Sequence, residues 1–192
     1  MGKFTNEIKE YFNQWETANI FVKDARLEEA DVLQLLCEKS EYLRKWEGNP
    51  PIDPKHIEKT IIEGDLPPNG KKENFKIQSF YLKGTGQLVG YMTYYFGYPK
   101  EDIIFLNFLF IDPDDQGKGY SSEIVQKFME LVQVTPFNKV QLLVKLKNWP
   151  AIRFWTKHQF TTIIGYYGDA VHSDNTFAGL ILEREVKHFK KE

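Results

Sequence analysis

The run Ile103 to Ile111 is apolar with the single exception of Asn107, and it leads straight into a loop holding Gly117 and Gly119 that opens a helix. So apolar a run predicts a central strand buried on both faces. The following stretch, Tyr120 to Gln133, puts Ile124, Phe128, Leu131 and Val132 on one side and Glu123, Gln126, Lys127 and Glu130 on the other, and Pro136 ends it. Strand, glycine turn and helix in this order point to an α/β fold. They also bring the first turn of a helix to a strand's end. The N–H groups of that turn lack partners inside the helix, and the helix dipole adds positive potential there. An anion suits such an end. Gly117 and Gly119 remove side chains that would keep a phosphate from the amides of Gln116 to Ser121, and Lys118 adds charge. The plainer alternative is a connection whose glycines serve only the turn. A Walker loop is absent, and the dinucleotide fingerprint fails because Ser122 stands where its third glycine belongs.

The rest of the chain supplies the partners such a strand and helix need. Residues 1–19 predict a helical extension with Ile8, Tyr11, Phe12 and Trp15 on one stripe, ahead of a core over about residues 20–186. Ile20 to Ala25 reads as a short strand. Leu27 to Lys45 reads as a helix stopped by Gly48-Asn49-Pro50-Pro51, and a second is expected from Pro54 to Glu63, capped by Asp53. After a polar loop, Phe75–Leu82 and Leu88–Phe96 form a hairpin. Val140, Leu142, Val144 and Leu146 alternate as a strand. A short helix from Pro150 to Lys157 and strands near 161–167 and 176–184 complete a mixed, largely antiparallel central sheet with flanking helices.

Composition narrows the function classes. With 192 residues, 42% of them hydrophobic, the chain suits one domain over residues 1–192 with a substantial core. The net charge of −2 leaves no basic excess for nucleic acid, so the Gly70–Lys76 and Lys187–Lys191 runs read as solvated ends. The single cysteine, Cys37, excludes an intramolecular disulfide, and its apolar neighbours predict a buried thiol rather than a nucleophile. No apolar run reaches the ~18 residues of a membrane span, and the N-terminus lacks a secretory core. Gly2 is discounted as an acylation site because Asn6 stands where Ser or Thr is wanted. A cytoplasmic monomer or homodimer is expected, with no metal, membrane or nucleic-acid partner.

Two segments carry a family resemblance. Gln116, Gly119 and the preceding Ile111-Asp112-Pro113 resemble the pyrophosphate loop of the GNAT superfamily of N-acetyltransferases, with Ser121 as its last small residue. Asn148, Ala151, Phe154 and Phe160 fall in register with the second segment of that family, where Trp155 replaces a Tyr and Gln159 a Gly. The resemblance implies an acetyl-CoA-dependent transfer to an amine acceptor, a small molecule or a peptide. It implies that the strands at Ile103–Ile111 and Val140–Leu146 splay to admit pantetheine. The backbone of Leu109, Phe110 and Ile111 would then meet the arm, and the amides of Gln116, Gly117, Lys118, Gly119, Tyr120 and Ser121 the pyrophosphate. Asn148 and Trp155 would complete the contacts.

The chain departs from the family where protons move. Asn107 stands at the position that often carries a Glu base, and the indole of Trp155 is no general acid. Replacement bases are Glu101 or Asp102 at the mouth of the central strand, or Asp169 or His172 between the last two strands; a solvated loop charge is the alternative for each. His158 reads as a packing or capping residue. Tyr91, Tyr94, Tyr95, Phe96 and Tyr98 would either line an acceptor pocket or pack on the sheet. A domain that holds CoA without turnover, as a sensor, and an interaction domain without CoA stay open as other readings.

Overall fold

The structure is a computed structural model that describes residues 6–188. Residues 1–5 of the expected N-terminal helix, Gly2 and the end of the basic tail lie outside that range.

Eight strands form one sheet in the order β1-β2-β3-β4-β5-β6-β8-β7. They are β1 (Gln14–Glu16), β2 (Ile20–Asp24), β3 (Phe75–Leu82), β4 (Leu88–Phe96), β5 (Ile103–Ile111), β6 (Lys139–Lys145), β7 (Thr162–Gly168) and β8 (Ala178–Glu185). Neighbours run antiparallel except β5 and β6, which are parallel and are joined through the helix α5 (Tyr120–Gln133). A parallel pair needs such a crossover, since a hairpin cannot reverse the chain twice. The mixed, largely antiparallel sheet with flanking helices is therefore the fold.

Each face of the sheet carries its own core. On one, Ile124, Phe128 and Val132 of α5 and Trp155 of α6 (Trp149–Lys157) pack against Met92, Tyr94, Phe96, Leu106 and Val140. On the other, Leu33, Leu36 and Cys37 of α2 (Ala30–Glu38) and Ile57 of α4 (His56–Ile62) cover Phe75, Ile77, Tyr91 and Phe110. Each such side chain, fully buried, contributes roughly 1.5–3 kcal/mol. Cys37 is buried as expected, and burial raises its pKa.

Four expectations need correction. The N-terminal helix, α1 (Asn6–Glu10), ends early, and Gln14–Glu16 instead pairs with β2. Phe12 and Trp15 are buried either way, but Tyr11 is exposed, which a common helical stripe would not allow. The stretch Leu27–Lys45 breaks into a 3₁₀ turn, α2, a second 3₁₀ turn and α3 (Arg44–Glu47). The break falls where the Ser40 hydroxyl donates to Cys37 O at 2.6 Å and tightens the chain. Finally, Leu146 lies past the end of β6 and is exposed. Past Leu106, β5 also departs from burial on both faces: Asn107, Phe108 and Leu109 are only half-buried. The reason is the gap beside them.

Candidate active site

Pairing between β5 and β6 covers only Ile103–Leu106 against Lys139–Leu142. Beyond it β5 stays bonded to β4 through Ile111, and β6 to β8 through Lys145, so the two strands separate while each keeps its outer neighbour. The separation begins at a bulge. Thr93 faces Phe108 and Tyr94 faces Leu106, which leaves Asn107 without an opposite residue. An extra residue bends its strand and increases the twist. Gly90 then lets β4 and β5 approach closely, since a Cβ there would sit 2.4 Å from Phe110 O.

The parted strands enclose a cleft of about 360 Å³, walled by Phe105–Leu109 and Leu142–Lys145 and completed by Glu47, Asn148 and Trp155. Strand edges left open this way present N–H and C=O groups to any extended, amide-bearing group laid between them. Leu109 lines the cleft, whereas the side chains of Phe110 and Ile111 are buried in the two cores.

At the end of β5 the chain turns through Pro113–Asp115, capped by Asp112, whose Oδ1 accepts from Asp114 N at 3.1 Å. Gly117 and Gly119 have φ of 77° and 91°, a region that side chains strain. Gly119 is the N-cap of α5. Among the described residues no acceptor pairs with the backbone N–H of Gly117, Lys118, Gly119, Tyr120 or Ser121. A Cβ added at either glycine would meet nothing within 4 Å. Unpaired amides, open space and a helix N-terminus together fit an anionic group.

Asp112, Asp114 and Asp115 would oppose that anion, and lysines offset them. Lys39 Nζ lies 2.6 Å from Asp112 and 3.4 Å from Asp114, and Lys118 Nζ lies 2.6 Å from Asp115. Hydrogen bonding to these carboxylates raises the pKa of both lysines. Lys118 is thus committed to the buried Asp115 and supplies less free charge than its place in the loop implies. Gln116 closes the turn, its Nε2 donating to Ile111 O at 2.9 Å and to Tyr42 OH at 3.2 Å.

Both ends of the Asn148 amide have a partner. Its Oδ1 caps α6 by accepting from Ala151 N at 3.2 Å, and its Nδ2 donates to Glu47 Oε1 at 3.0 Å. Glu47, which sequence reasoning missed, has its pKa raised by burial, partly offset by the amides of Asn148 and Asn49 and the charge of Lys145. Trp155 is buried, with its ring 4.9 Å from that of Phe154 and 5.2 Å from that of Phe160.

Two further cavities meet the cleft at the bulge. A chamber of about 390 Å³ lies under α2 and α4, and a groove of about 410 Å³ runs across β4, β5, β6 and β8 toward β7. Asp65 and Asn107 line all three spaces. Asn107 Nδ2 lies 3.4 Å from Asp65 Oδ2. Asp65 sits in the loop after α4, and no periodicity or motif singles it out.

The structure does not bring the expected bases here. Glu101 and Asp102 occupy the turn before β5, with Asp102 Oδ2 accepting from Asn138 Nδ2 at 3.1 Å, and neither lines the cleft. At ~3.3 Å per residue they lie on the order of 15 Å from the bulge. Asp169 accepts from Phe177 N within the exposed β7–β8 loop, where His172 also lies. His158 follows α6, its Nε2 3.0 Å from Ser122 Oγ, and burial lowers its pKa. Of the aromatics, Tyr94 and Phe96 pack in the core, while Tyr91 lines the chamber and Tyr95 and Tyr98 the groove. Among the described residues no cluster of His, Cys, Asp and Glu could hold a metal ion, and no helix is long and apolar enough to cross a membrane.

Comparison with known proteins agrees with this geometry. The model of the acetyltransferase (GNAT) family matches residues 40–160. No curated protein sequence matches the chain. Among solved structures, an acetyltransferase from Thermus thermophilus is similar with a TM-score of 0.66 at 17% identity, over 89% of this chain and 99% of that one. An N-acetyltransferase from Staphylococcus aureus Mu50 gives 0.67 at 14%, over 88% and 100%. A ribosomal L7/L12 alpha-N-protein acetyltransferase in complex with coenzyme A gives 0.70 at 11%, over 88% and 96%.

Proposed function

The chain belongs to the GNAT acetyltransferase family, and from that premise we propose that it is an acetyl-CoA-dependent N-acetyltransferase acting by direct attack of an acceptor amine. The observation that carries this is the parting of β5 from β6 beside a loop of unpaired amides. The gap fits the amide-bearing pantetheine arm, and the loop fits the pyrophosphate. In this reading the backbone of Leu109, Phe110 and Ile111 hydrogen-bonds the arm, and one such amide polarises the thioester carbonyl. The amides of Gln116 to Ser121 hold the pyrophosphate, Asn148 supports the arm, and Trp155 keeps water from the thioester. Positioning two reactants in this way can supply several kcal/mol, up to ~7–11, of barrier reduction.

The experiment is a calorimetric titration with CoA followed by thiol release from acetyl-CoA in the presence of an amine panel. Micromolar binding with amine-dependent thiol release is expected. Binding without turnover would leave a CoA-holding module, and no binding would remove the proposal.

A further inference from the structure

The spaces that meet at Asp65 differ in chemistry, and the difference selects an acceptor. The groove is walled by Leu66, Tyr95, Tyr98, Phe105, Leu143 and Tyr167, with Asp65, Asn107 and Gln141 as polar side chains. Two of its polar groups are already engaged. Gln141 Nε2 donates to Glu183 at 2.7 Å, and Tyr95 OH accepts from Lys71 N at 2.7 Å. Asp53, a carboxylate of the adjoining chamber, is held by Lys59 and by Lys55 N. Among the described residues Asp65 Oδ2 accepts only from Asn107 Nδ2, at 3.4 Å. A carboxylate can accept about four hydrogen bonds, so Asp65 keeps capacity for a further donor. It does so where the apolar groove meets the cleft.

We propose that the acceptor is a small primary amine with an aromatic or branched apolar body, seated in this groove, and that Asp65 takes the proton from its nitrogen. The inference rests on the transferase reading above. The apolar walls bury the body, and Asp65, among the described residues the one carboxylate that lines this groove, complements the amine. A volume of about 410 Å³ matches a small ligand. The amine nitrogen attacks the thioester carbonyl carbon, and the carbon–sulfur bond breaks with its electron pair leaving on sulfur. The surplus proton on nitrogen passes to the Asp65 carboxylate, which returns it through water to the thiolate. The products are the N-acetyl amine and the free thiol, and Asp65 ends ionised as it began. Asn107 is a positioning residue, holding Asp65 at the bulge.

The test measures thiol release from acetyl-CoA with 2-phenylethylamine, glucosamine and a hexapeptide with a free α-amine, for wild type, Asp65→Asn and Asp65→Glu. CoA affinity is measured on each by calorimetry. The expected kcat/KM for 2-phenylethylamine exceeds that for the other two by about tenfold or more. Asp65→Asn should lower kcat by about 10²-fold or more with CoA affinity unchanged, and Asp65→Glu should recover part of the loss. Asp65 is exposed, so both variants should fold. Activity of Asp65→Asn within about threefold of wild type, or preference for glucosamine or the peptide, would overturn the proposal. So would thiol release with none of the three by a chain that binds CoA. Failure to bind CoA would instead overturn the transferase reading beneath it.

Discussion

Gly119 answers two demands at once, a dihedral and a clearance. Its φ of 91° resists any side chain, yet a Cβ there would touch no protein atom. Gly119→Val should therefore cost the fold only dihedral strain, of order 1–3 kcal/mol, while filling the space above the loop amides. CoA affinity should be abolished in a variant that still melts cooperatively; unchanged affinity would sink the loop assignment. Trp155 offers a different separation. Its indole neither donates a proton to solution nor accepts one in the working range, so Trp155→Phe should leave the pH profile intact and most of the activity. Trp155→Tyr should be faster only if thiolate protonation limits turnover. Steady-state rates across pH for both variants check this. Glu47 gives a stability signature. Its folded pKa lies above the ordinary 4.5 because of burial, so the native state holds the proton longer than the unfolded chain. Stability should then fall as pH rises from about 4.5 through the raised value, since there the native state binds more protons. Glu47→Gln should flatten that part of a melting-temperature profile; an unchanged slope would place the dependence elsewhere.

Among the elements, α6 and the end of β5 bear most on the site. Asn148→Ala removes the cap of α6 and the amide partner of Glu47 together, so a loss of ~0.5–2 kcal/mol is expected for the cap alone. If Asn148 also supports the pantetheine arm, CoA affinity should fall beyond what the thermal shift explains; a shift with intact affinity would reduce the residue to its cap. The strand β5, helix α5 and the loop between them were legible from sequence because each rests on a local rule: apolar continuity, helical period and paired glycines. The splay was not. It depends on which neighbour each strand keeps, and the register that leaves Asn107 unopposed is set across β4 and β5 rather than along either. The same holds for β1, where a helical spacing of Phe12 and Trp15 yielded to pairing with β2. Glu101 and Asp102 read as bases from proximity in sequence to β5, but they lie at its opposite end from the loop.

At the scale of the whole molecule, the cleft lies where β5 stays paired to β4 and β6 to β8 while the two part from each other. The α2–α4 layer reaches the Gln116–Ser121 loop through Lys39 and Asp112, and the cleft through Glu47 and Asn148, so the two flanks are tied to one frame. Asp65 belongs to that layer and reaches the bulge from outside the sheet. Such contacts join residues far apart in the chain, and local patterning carries no trace of them. In the proposed function this gap and the amides beside it receive CoA. Two-dimensional amide NMR during titration with CoA tests it most directly. The N–H signals of Gly117, Gly119, Tyr120 and Ser121 should move together with those of Leu109 to Ile111 and saturate with one affinity. Shifts confined to another face, with these signals unmoved at saturating CoA, would contradict it.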